Sequence, residues 1–187
     1  MNNREKLNQL LKLAATKSKA LVVINADPDA IASAMAVKRL LWRKVSEVAI
    51  AHFNKISRPD NLALIEYTDS GIVLLDTVDP SHFDLFIIVD SQPDHNERFS
   101  DFRFDIIIDH HPLTAGKAAF SDIRSNYGAC STILTEYLKS RKIKPSGKLA
   151  AALMLGIKTD TSDFTRQATL RDIRAFQYLY QFADNNI

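Results

Sequence analysis

The sequence predicts an α/β domain in which a mostly parallel sheet carries helices on both faces. Short apolar segments rich in Val and Ile alternate along the 187 residues with longer stretches of helical periodicity. The short segments are apolar at successive positions, as expected of strands whose two faces are both covered. The length suits one domain with a substantial core, so residues 1–187 are predicted to form a single Rossmann-like domain.

Each predicted element has a local signal. The amino-terminal segment MNNREKLNQLLKLAATKSK predicts an amphipathic helix, because charged residues interrupt its apolar ones. ALVVIN (20–25) predicts a buried strand, and residues 27–44 predict a helix with an apolar stripe. Further strands are predicted at 47–53, 71–76, 84–90 and 104–109, and further helices at 59–67, 128–140, 146–157 and 169–183.

Composition excludes several classes of protein. The net charge is +2, so the chain is not a polycation built to coat nucleic acid. Its single cysteine, Cys130, cannot form an internal disulfide, which agrees with the cytoplasmic location that we expect; we predict a packed core thiol there rather than a nucleophile. No run approaches ~18 apolar residues, so no membrane span is expected. The densest basic stretch, 139–148, is either a solvated loop between helices or a contact for an anionic substrate.

Acidic and imidazole side chains follow three of the predicted strands. Asp27 lies just after the first strand, Asp90 ends another, and Asp109, His110 and His111 end the apolar run DIIID. In parallel sheets the carboxyl ends of the strands share one edge, where ligands collect. We therefore expect these residues to converge at that edge.

Carboxylates brought together in this way need a neutralising cation. Like charges at short range raise one another's pKa and oppose folding, and Lys and Arg are scarce in the flanking segments. Carboxylate and imidazole ligands suit Mn²⁺, with Mg²⁺, Co²⁺ or Fe²⁺ as competitors. The number of acids suits two ions ~3.5–4 Å apart, an arrangement in which a bridging hydroxide attacks phosphorus in line. A dinucleotide-binding loop is disfavoured because NADPDAIAS contains no glycine.

Four motifs carry a family resemblance. In order and spacing, DPDAIAS (27–33), VD (89–90), DHH (109–111) and GIKTDTSDF (156–164) resemble the motifs of the DHH phosphoesterase superfamily. YGACSTILTEYL (127–138) is similar to the helix that follows the DHH motif in that family. The resemblance implies a DHH-type domain and activities such as RecJ-like exonuclease, oligoribonuclease and pAp phosphatase, cyclic-dinucleotide phosphodiesterase, pyrophosphatase or exopolyphosphatase.

The resemblance also implies a role for each metal ligand. Asp27 resembles a ligand of the first metal and Asp29 a ligand of the second. Asp90 resembles the carboxylate that bridges both ions. His110 and Asp160 resemble the remaining ligands of the second metal. Asp163 is the rival of Asp160 for the last position, and Asp160 is preferred because it fits the motif.

Three further residues are candidates for catalysis. By the same resemblance, Asp109 orients an imidazole and His111 reaches the substrate phosphate or the leaving oxygen. Many members of the family have a metal-binding His four residues before Asp27, where this chain has Val23. Asn25 is the nearest substitute because alternate strand residues point the same way. Its neutral oxygen predicts a weak first metal site.

The chain also departs from the family at its end. Typical members continue into a smaller domain with a Gly-rich, His-containing substrate motif, and no such segment follows residue 183 here. A separate C-terminal domain and a homodimer are both open as ways to complete the site. We expect hydrolysis of short oligonucleotides or small nucleotides; the alternative is a degenerate module that binds nucleotide or metal for regulation. Lys158, Arg166 and Arg171 are either phosphate contacts or solvated charges.

Overall fold

A six-stranded sheet forms the centre of the molecule, which is described here from a computed structural model covering residues 1–114 and 116–184. The strands are β1 (Lys19–Ile24), β2 (Glu47–His52), β3 (Ile72–Leu74), β4 (Leu85–Val89), β5 (Ile106–Asp109) and β6 (Phe120–Ile123). The α-helices of the described residues are α1 (Asn3–Ala14), α2 (Pro28–Leu40), α3 (Pro59–Thr68), α4 (Cys130–Ser140), α5 (Gly147–Asp160) and α6 (Leu170–Tyr180).

The strand order fixes where a ligand can bind. The order is β3-β2-β1-β4-β5-β6 and every pairing is parallel. The chain therefore reverses its direction of travel between β1 and β4, which lie side by side at the centre. In such sheets the switch point opens a crevice beyond the carboxyl ends of the central strands. The predicted α/β class and parallel sheet are confirmed.

The two faces of the sheet are covered differently. One face is covered by a large apolar core that includes Ile24, Ile87 and Ile108, and all six α-helices contribute residues to this core. The other face carries a smaller core around Leu21, with Phe99 as its largest buried side chain. Short 3₁₀ helices and aromatic residues, rather than α-helices, cover this second face, so the predicted helices on both faces are found there only as 3₁₀ helices.

The sixth strand, β6, is absent from the sequence-based prediction. Its residues FSDI alternate in burial, and the buried Asp122 bonds Arg124, Lys6 and Tyr137 instead of packing against apolar groups. A polar residue in the interior of so short a strand hides its apolar pattern. The other five strands occur where predicted, although β1 ends at Ile24 and β3 has only three residues.

Two expectations from composition can be compared with the structure. Cys130 is fully buried and its thiol lies 3.3 Å from the carbonyl oxygen of Ile108, which agrees with a packed core thiol. Within the described ranges, no helix has both the length and the hydropathy of a transmembrane span.

Candidate metal centre

The first motif places one carboxylate at the start of α2 and another beneath it. Asp27 is the N-cap of α2 and accepts a hydrogen bond from the backbone N–H of Ala30 at 2.9 Å. Asp29, in the first turn, is fully buried. Its two oxygens accept hydrogen bonds from the backbone N–H groups of Cys130 (2.6 Å) and Ser131 (2.7 Å) at the start of α4. Two helix N-termini therefore hold these carboxylates in place.

The remaining groups arrive from the ends of β4, β5 and α5. Asp90 follows β4 in the left-handed region, at φ 57°, and its N–H donates to the carbonyl of Ile108. His110 follows β5, and its Nδ1 lies 3.2 Å from the carbonyl oxygen of Tyr127. Since a carbonyl only accepts, Nδ1 carries a proton and Nε2 faces the other way. Asp160 is the last residue of α5.

Four side chains converge to form what we call the acidic cluster: Asp29, Asp90, His110 and Asp160. One ligand atom from each lies within 4.8 Å of the others. Nε2 of His110 is 3.2 Å from Oδ1 of Asp90 and 3.0 Å from Oδ2 of Asp160. Yet Asp90 Oδ1 and His110 Nε2 are buried without a hydrogen-bond partner among the described residues. Buried polar atoms left in this way are uncommon, and oxygen and imidazole nitrogen donors converging on one point suit a divalent cation.

The pKa values of the acidic cluster show that burial and mutual repulsion disfavour its ionised carboxylates. Burial and the neighbouring Asp160 raise the pKa of Asp29 to about 6. Burial, and then the charge of Asp29, raise the pKa of Asp90 well above its ordinary value. Burial lowers the pKa of His110, but the carboxylates of Asp160 and Asp90 outweigh it and raise the pKa to about 12. An imidazolium thus partly neutralises the carboxylates, and a metal ion would replace its proton.

A second network holds His111 beside the acidic cluster. Nδ1 of His111 lies 2.8 Å from Oδ1 of the fully buried Asp109. The other carboxylate oxygen of Asp109 accepts from Nε2 of Gln92 at 2.7 Å. Burial raises the pKa of Asp109, but the hydrogen bonds from His111 and Gln92 outweigh it, so the net pKa lies below its ordinary value. An ionised Asp109 therefore keeps the proton on Nδ1 of His111 and leaves Nε2 free for a ligand.

The acidic cluster opens into a polar cavity of about 630 Å³. His111 lies in its wall with about half of its side chain exposed, and Arg166 provides a positive charge. The lining residues are Asp27, His110, His111, Pro112, Ser125, Asn126, Tyr127, Thr159, Asp160, Arg166, Gln167 and Thr169. This cavity can hold a ligand that is phosphate-sized or larger and in contact with both His111 and the acidic cluster.

Other residues singled out in the sequence lie apart from the acidic cluster. Val23 is fully buried in the smaller core, and Asn25 is exposed beyond the end of β1 and does not line the cavity. Asp163 is exposed and pairs with Lys158 at 3.0 Å, so Asp160 rather than Asp163 lies in the cluster. Asn25 as a catalytic residue stays a prediction.

Two polar residues near His111 were not identified from the sequence. Gln92 is fully buried; besides Asp109 it bonds the backbone carbonyl of Pro112 and the backbone N–H of Thr114, which ties down the loop after the DHH motif. The ring of His95 lies 5.5 Å from that of His111. No local pattern in SQPDHN marks either residue, because both act on a loop about twenty positions away.

Gly156 allows α5 to approach the acidic cluster closely. A Cβ atom at this position would lie 2.6 Å from Oγ of Ser131 and 3.0 Å from both Cα and Oδ1 of Asp29. Because Asp29 is fixed by two backbone N–H groups, it has little room to move. The absence of a side chain at Gly156 therefore sets the position of Asp29 and, through α5, of Asp160.

Comparisons with known proteins identify the family of the chain. The model of the DHH family, N-terminal domain, matches residues 19–157. The uncharacterized protein MJ1633 of Methanocaldococcus jannaschii is 34% identical over 190 residues, covering 100% of this chain and 40% of that protein. The probable bifunctional oligoribonuclease and PAP phosphatase NrnA of Streptococcus mutans is 24% identical over 150 residues, covering 76% of this chain and 45% of that protein.

A solved structure shares the fold. The exopolyphosphatase-related protein of Bacteroides fragilis superposes with a TM-score of 0.76 at 18% identity, over 95% of this chain and 56% of that chain. At this level of identity the similarity concerns the architecture alone. The chain spans less than half of the length of the two relatives identified by sequence.

Proposed function

The chain belongs to the DHH family, and from that premise we propose that it is a divalent-metal-dependent phosphoesterase. The substrates we propose are short oligonucleotides or small nucleotides, with Mn²⁺ as the preferred ion and Mg²⁺ or Co²⁺ as alternatives. The name of the Streptococcus mutans relative supports phosphodiester and phosphomonoester substrates. The polar cavity beside the acidic cluster is large enough for a nucleotide phosphate and its sugar.

One observation carries the proposal. Asp90 Oδ1 and His110 Nε2 are buried and lie at ion-pair distance without a hydrogen bond among the residues that the structure describes, while Asp29 and Asp160 supply further oxygens within 4.8 Å. His110 pairs with Asp90 and Asp160, so three carboxylates share one imidazole and the cluster is short of positive charge. The donor set suits one or two divalent ions, which Asp29, Asp90, His110 and Asp160 would hold, and Asp27 lies in the wall of the adjoining cavity.

Different residues of the chain would have different roles in hydrolysis. Divalent ions held by the acidic cluster would lower the pKa of water and offset the charge on phosphoryl oxygens. The backbone N–H groups at the start of α4 hold the carboxylate of Asp29 close to that of Asp90. His111 faces the cavity with Nε2 and can hold a proton for the leaving oxygen, while Asp109 fixes its orientation. Arg166 can bind a non-reacting phosphate oxygen from the cavity wall.

An assay with matched variants tests the proposal. The purified chain, in Mn²⁺ or in EDTA, is given bis-p-nitrophenyl phosphate, pAp, a dinucleotide and pyrophosphate. We expect Mn²⁺-dependent turnover of at least one substrate, lost in Asp90→Asn and kept in Asp163→Asn, which removes an exposed carboxylate outside the cluster. Turnover that persists in Asp90→Asn would contradict the proposed site.

A binding module without turnover is the second candidate function. The observation that favours it is Val23, which is buried in the smaller core and offers no ligand for a first metal. Mn²⁺ binding that depends on Asp90, combined with no hydrolysis of any of the four substrates, would favour this module over the enzyme.

A further inference from the structure

We propose that a groove between α4 and α6 binds a second phosphate group of the substrate, beyond the one that reacts at the acidic cluster. This inference rests on the proposed function and deepens it. The groove, which we call the basic groove, has a volume of about 300 Å³. Its lining includes Asn3, Glu136, Lys139, Arg171, Arg174 and Tyr178.

The basic groove adjoins the polar cavity of the candidate metal centre. Thr169 lines the polar cavity and caps α6, and the N–H of Arg171, which lines the basic groove, donates to its hydroxyl at 3.2 Å. The guanidinium of Arg171 lies 5.3 Å from the ring centre of Tyr127, another residue of the cavity wall. The first turn of α6 and the ring of Tyr127 therefore form a wall shared by the two sites. The proposal requires an extended substrate to pass over this wall.

The charge in the basic groove is positive once internal pairs are taken into account. Glu136 is the acid of the groove lining, and Arg124 neutralises it through an ion pair of 2.8 Å. Arg171 contacts the other carboxylate oxygen at 3.3 Å. Within the described part of the chain, Lys139 and Arg174 form no ion pair with a carboxylate. Lys139 and Arg174, which have no carboxylate partner among the described residues, and a partly engaged Arg171 thus line a groove with room for a phosphate group.

Aromatic contacts position one of these cations. Nζ of Lys139 lies 5.1 Å from the ring centre of the half-buried Tyr178, which supports its long side chain along the groove. Arg174 is one helical turn beyond Arg171, about 4.5 Å along the axis of α6. Arg171, Arg174 and Lys139 therefore form a row that leads away from the acidic cluster. A row of cations beginning at a hydrolytic site favours a substrate with successive phosphates, as in an oligonucleotide or a linear polyphosphate, over a mononucleotide.

A binding measurement tests the basic groove without requiring catalysis. The full chain is titrated in EDTA into a 5′-fluorescent pentanucleotide, and binding is followed by fluorescence anisotropy. The test variant is Lys139→Ala/Arg174→Ala. The control, Lys44→Ala/Arg103→Ala, removes two exposed cations that do not line the basic groove. Tripolyphosphate and unlabelled pentanucleotide are compared as competitors, to distinguish an inorganic chain from a nucleic-acid backbone.

We expect the test variant, which removes two cations able to form charged hydrogen bonds to phosphate, to weaken binding at least tenfold, and the control to weaken it less than twofold. The dependence of affinity on salt should also become shallower in the test variant alone. If tripolyphosphate or unlabelled pentanucleotide displaces the labelled strand from the wild type but not from the test variant, the proposal is supported. The better competitor then identifies whether the groove binds an inorganic chain or a nucleic-acid backbone. Equal affinities for the wild type and the test variant, or equal losses in both variants, would overturn it.

Kinetics separate this inference from the proposed function. For the wild type and both double variants, hydrolysis of bis-p-nitrophenyl phosphate, which has a single phosphate, should proceed with unchanged kcat and KM. For the pentanucleotide, only the test variant should show a raised KM at unchanged kcat. If no substrate is turned over by the wild type, the proposed function fails, while the anisotropy result still decides whether the groove binds phosphate.

Discussion

Oδ1 of Asp90 and Nε2 of His110 lie 3.2 Å apart, both are buried, and neither makes a hydrogen bond within the described residues. The two residues come from the ends of neighbouring strands, so the sheet itself brings them together. An oxygen and an imidazole nitrogen are both donors that a divalent cation can bind. We interpret this pair as the centre of the acidic cluster, and the predictions below concern its stability, geometry and chemistry.

Replacing Asp90 by Asn should remove the response of the protein to metal without harming the metal-free fold. Burial and the charge of Asp29 disfavour the ionised form of Asp90, which raises its pKa. Asn keeps the shape, tolerates the left-handed backbone of this position and removes the charge. In thermal unfolding we expect the variant in EDTA to melt at or above the wild-type temperature. At Mn²⁺ concentrations near 100 times Kd, the wild type should gain about 2.7 kcal/mol and the variant almost nothing.

Asp163→Asn is the matched control for this measurement, because Asp163 also has a left-handed backbone but is exposed and pairs with Lys158. It should respond to Mn²⁺ as the wild type does. A full Mn²⁺ response in Asp90→Asn would remove Asp90 from the metal centre.

The stability of the metal-free protein should fall as the pH rises from 6.5 to 8.5. The ordinary pKa of His110 is 6.5, and in the folded protein the carboxylates of Asp160 and Asp90 raise it to about 12 against the effect of burial. Below pH 6.5 both folded and unfolded chains carry the proton, so the ion pairs contribute fully. Above it the unfolded chain loses the proton first, which costs up to roughly 1.4 kcal/mol of unfolding free energy per pH unit.

Urea unfolding in EDTA at several pH values measures this slope. The same series in saturating Mn²⁺ is the control, since an imidazole bound to metal is neutral and binding improves as protons are released. The slope should vanish or reverse there. A metal-free protein whose stability is level or increases between pH 6.5 and 8.5 would rule out the raised pKa of His110.

Gly156→Ala should disturb the acidic cluster by crowding Asp29. The new Cβ would lie 2.6 Å from Oγ of Ser131 and 3.0 Å from Oδ1 of Asp29, which is held by backbone N–H groups and cannot easily retreat. Overpacking of this kind costs about 1–3 kcal/mol. We expect that loss in urea unfolding, together with a weaker Mn²⁺ response. Gly147→Ala, in the same helix with no contact below 3.4 Å, should show neither effect.

His111→Ala should slow hydrolysis in a manner that depends on the leaving group. If Nε2 of His111 supplies a proton, loss of the imidazole should reduce kcat about 100-fold for a nucleoside leaving group. The effect on a p-nitrophenolate ester, which needs no protonation, should stay below about tenfold. Affinity for Mn²⁺ should not change. Equal losses on both substrates together with weaker Mn²⁺ binding would make His111 a metal ligand instead.

Three residues of the candidate site could be predicted to lie together because each one follows the end of a strand. Asp27, Asp90 and His110 each follow an apolar segment, and parallel strands bring such positions to one edge. The all-parallel sheet confirms that part of the interpretation. Local spacing alone could not decide between Asp160 and Asp163, and the family motif favoured Asp160.

Contacts between distant segments were not predictable from local patterns. Asp29 accepts hydrogen bonds from Cys130 and Ser131, more than 100 residues away, and nothing in its own motif indicates these partners. Gln92 likewise has no periodic or motif signal, although it fixes Asp109. Strand β6 was missed because Asp122, buried by ion pairing, interrupts its apolar pattern. In each case a polar residue is buried by partners that only the fold supplies.

Anomalous diffraction from crystals grown with Mn²⁺, recorded at the manganese edge, tests the central claim most directly. We predict a strong peak within about 2.5 Å of ligand atoms from Asp29, Asp90, His110 and Asp160, and a weaker one toward Asp27, where Val23 provides no ligand. A crystal soaked in excess Mn²⁺ with no peak in contact with Asp90 and His110 would contradict the account.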